Sequence, residues 1–254
     1  MADGDLIGIM SGKLYIGTSG YKYNHWRKTF YPEGTKIADE FAYYRTHFNV
    51  VEINYSFYRL PSEQTLEKWR DEVTDSFSYV LKASRFITHT KRLQDPEQTT
   101  MLFFDRISTL GDKIGCVLFQ LPPSMKFDAD LLRDFLAHLP KTYRYAFEFR
   151  HPDWYRAETY DLLKKYNCAF CIYELNRHQS PIEVTADFAY LRLHGPGRKY
   201  QGSYSDENLQ EWAAQIKTWL ETKDVFVFFD NDEKGYAPRN ALKLKELLSS
   251  KTLK

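Results

Sequence analysis

Short apolar runs recur along the chain, each bounded by polar or turn-forming residues and each followed by a stretch whose apolar positions return at helical spacing. The runs predict strands at Leu14 to Thr18, Val50 to Asn54, Ser78 to Ala83, Cys116 to Gln120, Tyr145 to Arg150, Cys168 to Tyr173, Phe188 to His194 and Val225 to Phe229. The intervening spacing predicts helices around Ala38 to Phe48, Glu63 to Asp71, Glu97 to Leu110, Asp130 to Leu139, Ala157 to Tyr166, Asp206 to Leu220 and Arg239 to Leu248. From Asn176 to Ala186 the sequence is polar and carries Pro181, so a loop or very short helix is expected after the sixth strand. Strand–helix alternation is the signature of a parallel sheet. Eight strands in a chain of 254 residues fit a closed (β/α)8 TIM barrel better than a doubly wound open sheet. No linker divides the chain, so residues 13–254 are read as one barrel domain behind a flexible N-terminal arm at 1–12.

Residues two apart on a strand share a face. In the second strand Val51 and Ile53 oppose Glu52 and Asn54, and in the fifth Phe147 and Phe149 oppose Glu148 and Arg150. If the apolar sets pack against helices, the polar sets face the barrel interior. The same parity brings Lys82, Gln120, Tyr173, Arg192 and His194 into that layer, nearly all at the carboxyl ends of their strands, where barrel enzymes hold their active sites.

Charge at such a mouth must be paired or must bind something charged, because stranding it away from water is costly. Glu52 and Glu148 face Lys82, Arg150 and Arg192, with His194 and His151 able to add positive charge, so a cationic pocket for a phosphate or carboxylate is expected. Glu148, Glu52 and His194 are the candidates for acid/base work. Lys82, Arg150, Arg192, Gln120, Asn54 and His151 are expected to bind substrate. So are His89 from the basic loop after the third strand, Asn231 after the last strand and Tyr21 from the aromatic first loop. The bland alternative is a salt-bridge lattice that fills the barrel, but such a lattice usually gains no stability over apolar packing. The aromatic loops, likewise, are equally well read as packing, and Asn240 as a helix cap.

Glu52, Glu148, His151, His194 and Asp230 are adequate metal ligands if they converge. No helical His pair or Cys/His cluster supports this, and three nearby cations oppose a dication. No cofactor is therefore predicted, with a divalent metal left open. Gly17 to Gly20 is a small-residue turn that suits either an anion contact or a plain turn.

A net charge of +1 gives no global attraction to nucleic acid or a membrane surface, and no apolar run reaches spanning length, so a cytoplasmic protein without a membrane partner is expected. The three cysteines lie in strand-like runs, which predicts reduced thiols, with Cys168 and Cys171 on opposite faces. Aromatic residues make up 17% of the chain, enough for a bulky core and an aromatic-lined cleft.

These residues resemble the YecE-like family, the domain of unknown function 72 family. The resemblance is carried by Ile16 to Tyr21 with Trp26 and Phe30 to Pro32, by Val51 to Asn54 with Phe57 to Pro61, and by Arg85 to His89. It continues through Phe119 to Pro123, Glu148 to His151, Tyr190 to Gly195, Tyr204, and Phe229 to Asp232 with Asn240 and Ala241. It implies a (β/α)8 barrel and supplies no activity. Glu174 and Asp230 depart from the pattern, which often has Asp and Asn there. The functional expectation is an enzyme, hydrolase or lyase, acting on a small anionic ligand. A metal-dependent nucleic-acid phosphodiesterase of the endonuclease IV type and a non-catalytic ligand-binding or adaptor protein are the alternatives. Oligomeric state is not legible.

Overall fold

The computed structural model describes residues 11–249, so most of the expected N-terminal arm lies outside the described residues. Its last two positions are fastened: the Gly12 amide donates to Leu220 O at 3.0 Å and Ser11 Oγ to Glu221 O at 3.0 Å.

The elements run β1 (Leu14–Thr18), α1 (Glu40–His47), β2 (Val50–Ile53), α2 (Tyr55–Tyr58), α3 (Glu63–Asp71), β3 (Ser78–Lys82), α4 (Pro96–Ile107), β4 (Ile114–Gln120) and α5 (Ala129–His138). They continue with β5 (Tyr145–Glu148), α6 (Ala157–Lys165), β6 (Ala169–Leu175), β7 (His178–Gln179), β8 (Phe188–Leu193), α7 (Asp206–Leu220), β9 (Asp224–Phe229) and α8 (Tyr236–Ser249). Eight strands pair in parallel in the order β1-β9-β8-β6-β5-β4-β3-β2, and β7 pairs antiparallel with β6. This is a nearly closed (β/α)8 barrel.

The closing seam, between β1 and β2, is made largely by side chains. Asn49 accepts from the Ile16 amide at 3.2 Å and donates to Leu14 O at 2.8 Å, imitating a strand partner with its own amide. The Tyr44 hydroxyl accepts from the Thr18 amide at 3.0 Å and donates to Val50 O at 3.0 Å. Gly17 permits the approach, since a Cβ there would sit 2.2 Å from Val50 O.

Strand parity sorts the core into two layers. Val51, Ile53, Phe147, Phe149 and Leu191 pack outward with helix residues such as Leu66, Phe135, Ile216 and Leu244. Val50, Val80, Leu118, Cys171, Tyr190 and Phe228 fill the inside. Each fully buried side chain of this kind contributes roughly 1.5–3 kcal/mol. Cys116 and Cys171 face inward and Cys168 outward; all three are buried free thiols whose pKa burial raises, Cys168 to about 12.

Helix starts follow ordinary capping: Ser62, Asp128 and Ser205 accept from the amides of Thr65, Leu131 and Asn208. Helix α8 begins three residues before the predicted Arg239, because Pro238 lies in its first turn, where an absent N–H loses no bond. After β6 the crossover holds a β-hairpin where a loop or short helix was expected. Asn176 and Arg177, at φ 54° and 62°, make its two-residue turn, a conformation Asn favours but Arg conceals in the sequence. Thr185 Oγ1, further along, accepts from the Phe170 amide at 2.7 Å and donates to Cys168 O at 2.6 Å, tying the extended crossover to β6.

Candidate functional site

Alternation along the strands brings Glu52, Lys82, Gln120, Glu148 and Arg192 together at the carboxyl end of the barrel, with His194 and Asp230 one residue past β8 and β9 and Arg150 two past β5. Arg192 is the hub. Its Nη1 donates to Glu148 Oε2 and its Nη2 to Glu52 Oε1, both at 2.5 Å, and Asp230 Oδ2 lies 3.5 Å from Nη2. Burial would lower the pKa of this guanidinium, but Glu52, Glu148 and Asp230 hold it as a fixed cation.

Glu148 also receives Arg150. Burial alone would raise its carboxyl, but Arg150 and Arg192, with His194 and Lys82, hold it well below the usual carboxylate range. Glu52 accepts from Ser19 Oγ at 2.6 Å and Tyr190 OH at 2.8 Å as well as from Arg192. Both carboxylates are fully buried, and neither lines the open cleft above them. The carboxylate of this layer that does is Asp230, which pairs with His194 Nδ1 at 2.9 Å. Arg150 donates to His194 Nε2 at 3.3 Å, so the remaining ring proton sits on Nδ1, directed at Asp230. Burial and then Arg192 lower the His194 pKa, favouring this neutral tautomer.

Lys82 reaches the cleft from β3. Its Nζ donates to Gln120 Oε1 at 2.7 Å and lies 4.4 Å from the centre of the Phe57 ring. Burial and then Arg192 bring its pKa down to about 8.

The cleft has a volume of about 590 Å³, and its upper wall includes Tyr23, His25, Tyr58, Lys199, Tyr200 and Lys234. The loop carrying Lys199 and Tyr200 folds back over His194, with the Tyr200 amide donating to His194 O at 2.8 Å. Gly195 makes that fold: its φ is +109°, and a Cβ there would meet Gln201 O at 2.3 Å.

The expected excess of positive charge is absent from the count. Asp230 supplies a third carboxylate to the buried layer, matching Arg150, Arg192 and Lys82, and the cleft lining sets Lys82, Lys199 and Lys234 against Asp230, Asp232 and Glu233. The asymmetry lies in pairing. Asp232 is taken up by Trp26 and His25, and Glu233 accepts from the Gly202 amide, whereas none of the three lysines has an ion-pair partner among the described residues.

The sequence profile of the family described as "Protein of unknown function DUF72" matches residues 15–254. The chain belongs to the DUF72 family. It is 25% identical to the UPF0759 protein YunF of Bacillus subtilis, over 92% of this chain and 94% of that one. With the UPF0759 protein YecE of Escherichia coli it shares 31% identity over 143 residues, 56% of this chain and 50% of that one. A solved DUF72 family protein from Thermotoga maritima, 29% identical, superposes with a TM-score of 0.82 over 94% of this chain and 100% of its own. Another from Enterococcus faecalis, 18% identical, shares the fold with a TM-score of 0.77 over 94% of this chain and 96% of that one.

In this DUF72 chain Asn54 lines the cleft, its Oδ1 buried without a hydrogen bond among the described residues. His89 lies outside the cleft lining, 5.1 Å from the Phe57 ring, with its pKa lowered by burial and by Lys82. Arg150, Arg192 and Gln120 stay in the buried layer and do not line the cleft, and three further expected ligand-binding residues are placed away from it. His151 follows the alternation to the outer side of Arg150 and caps the turn Pro152–Trp154, accepting from the Asp153 amide at 3.1 Å. Asn231 is buried, donating to Gly202 O at 2.9 Å and Asn240 Oδ1 at 2.8 Å, so it braces the loop instead of reaching the cleft. Tyr21 packs on Phe41, ring centres 4.6 Å apart, and borders a neighbouring apolar groove.

Asn240, expected to cap a helix, lies inside α8 instead, where its Oδ1 accepts from the Tyr204 amide at 3.2 Å as well as from Asn231. Asp230, named from the sequence as a conceivable metal ligand, lines the cleft as a carboxylate, and Ser19 and Tyr190 join the site through their hydroxyls. Extending the Phe226, Phe228 alternation by one step places Asp230 on the inner side. Among the described residues no three His, Cys, Asp or Glu side chains converge in a way that could hold a metal ion, and no helix is long and apolar enough to cross a membrane. Glu174, the other departure from the family pattern, accepts from Trp212 Nε1 at 2.9 Å, anchoring α7 to β6.

Proposed function

We propose that the chain is an enzyme acting on a small anionic molecule, carboxylate- or phosphate-bearing, with Asp230 moving the proton. The observation that carries this reading is the meeting of three unpaired ammonium groups, Lys82, Lys199 and Lys234, in one cleft with a carboxylate held by an imidazole. A lysine without a protein carboxylate is free to pair with a ligand's anion. Asp230, which a neutral His194 orients through Nδ1–H, faces the cleft and is the general base. Glu52 and Glu148, expected from the sequence to do acid/base work, instead fix Arg192 and Arg150, setting the field beneath the base.

The test is calorimetric titration of the full chain with inorganic phosphate and with malonate, followed by incubation with a defined mixture of small phosphorylated and carboxylated metabolites. The expected result is saturable binding that Lys199→Ala/Lys234→Ala weakens about tenfold, a loss of about 1.4 kcal/mol. Consumption of one anion by wild type but not by Asp230→Asn should accompany it. Absence of saturable binding, or binding with no consumption, would overturn the reading.

A further inference from the structure

Lys82 stands apart within the buried layer. Arg150 and Arg192 each touch a carboxylate, whereas the Lys82 ammonium has a neutral amide oxygen on one side and an aromatic face on the other. Around it lie Glu52 from β2, Glu148 from β5, Arg192 from β8, Asp230 after β9 and His89 from the loop after β3. A partly desolvated amine beside a fixed guanidinium is what nucleophilic lysines require, since both features favour the neutral, reactive form. One N–H is held by Gln120, which orients the nitrogen while leaving its lone pair for a molecule in the cleft.

We propose that Lys82 is a nucleophile that forms an imine with a carbonyl-bearing anion, a 2-oxo acid or a phosphorylated aldehyde or ketone. The inference rests on the anion cleft proposed above and assigns its substrate class. The Nζ lone pair forms a C–N bond as the C=O π electrons move to oxygen. Asp230 relays one proton from nitrogen to the alkoxide, giving the carbinolamine, and then a second from nitrogen to the carbinolamine hydroxyl, which leaves as water while nitrogen forms the C=N bond. Amine and carbonyl thus become imine and one water, with no change of oxidation state. The imine nitrogen takes up a proton from solvent, and the protonated imine then withdraws electrons from the adjacent carbon, the activation that lyases use.

The full chain is incubated with pyruvate, glyoxylate or glyceraldehyde 3-phosphate in the presence of cyanoborohydride, and adducts are located by peptide mass mapping. The expected result is labelling at Lys82 about tenfold faster than at any other lysine. It should rise to half its maximum near pH 8, be competed by inorganic phosphate and be absent from Lys82→Arg, which keeps the charge. Lys82→Met, checked by its melting temperature, shows that loss of labelling is not loss of fold. No adduct with the three probes, or labelling spread evenly over lysines, overturns the imine. If phosphate still binds the same sample, the anion cleft survives that failure; if phosphate does not bind, the underlying reading falls as well.

Discussion

Replacing Arg192 by Met retains the length and apolar volume of the side chain while removing the charge that two buried carboxylates share. Glu148 keeps Arg150, whereas Glu52 is left with only the hydroxyls of Ser19 and Tyr190, so Glu52 is the group stranded. Removing one partner of a buried ion pair costs about 3–5 kcal/mol, and the full range applies because Arg192 and Glu52 are at most 1% exposed. In a chain of this size that corresponds to a fall in melting temperature of roughly 6–20 °C. The stranded carboxyl should bind a proton more readily in the folded state than in the unfolded one. The variant's deficit should therefore shrink as pH is lowered towards 5, because stability then rises wherever the native state holds more protons. Adding Glu52→Gln, whose amide oxygen accepts from one of the two hydroxyls while its NH2 donates to the other, should recover at least about 1.5 kcal/mol in a double-mutant cycle measured by urea unfolding. A loss under about 1 kcal/mol for Arg192→Met, or further destabilisation by the second change, would refute the hub assignment.

The depressed Glu148 carboxyl contributes stability that is complete above about pH 4.3 and is lost as pH falls towards its lower folded value; Glu148→Gln should flatten that acid limb of a melting-temperature profile. Lys82 works in the opposite range. Its folded pKa near 8 lies below the unfolded value of about 10.4, so stability should rise between those limits as the unfolded chain holds the extra proton, and Lys82→Met should melt higher at neutral pH and abolish the rise. Asn49→Ala removes both amide contacts across the seam and should lose about 2 kcal/mol, with faster hydrogen exchange at the Ile16 amide. Gly17→Ala, forced against Val50 O, should be worse than Asn49→Ala by chemical denaturation.

Much of the barrel is legible because its strands are short, apolar and regularly spaced, and because period-two alternation sorts Glu52, Lys82, Glu148 and Arg192 to one side without knowledge of the tertiary structure. The alternation continues past the strand ends: Asp230, two residues beyond Phe228, is carried inward, and His151, one residue past Arg150, falls outward, where it caps a helical turn. Alternation does not reveal depth. Glu52 and Asp230 share the inner side, yet one is sealed beneath Arg192 and the other opens to the cleft. The bracing role of Asn231 depends on Asn240 and Gly202, contacts between chain segments that no local pattern encodes.

The three sealed sulfhydryls make this chain a ready background for spectroscopy. Because Cys116, Cys168 and Cys171 are shut inside the wall of the barrel, a thiol installed in place of exposed Tyr58 at the rim would be the group that maleimide reagents find. A fluorophore attached there would report cleft occupancy without any native sulfur having to be removed first.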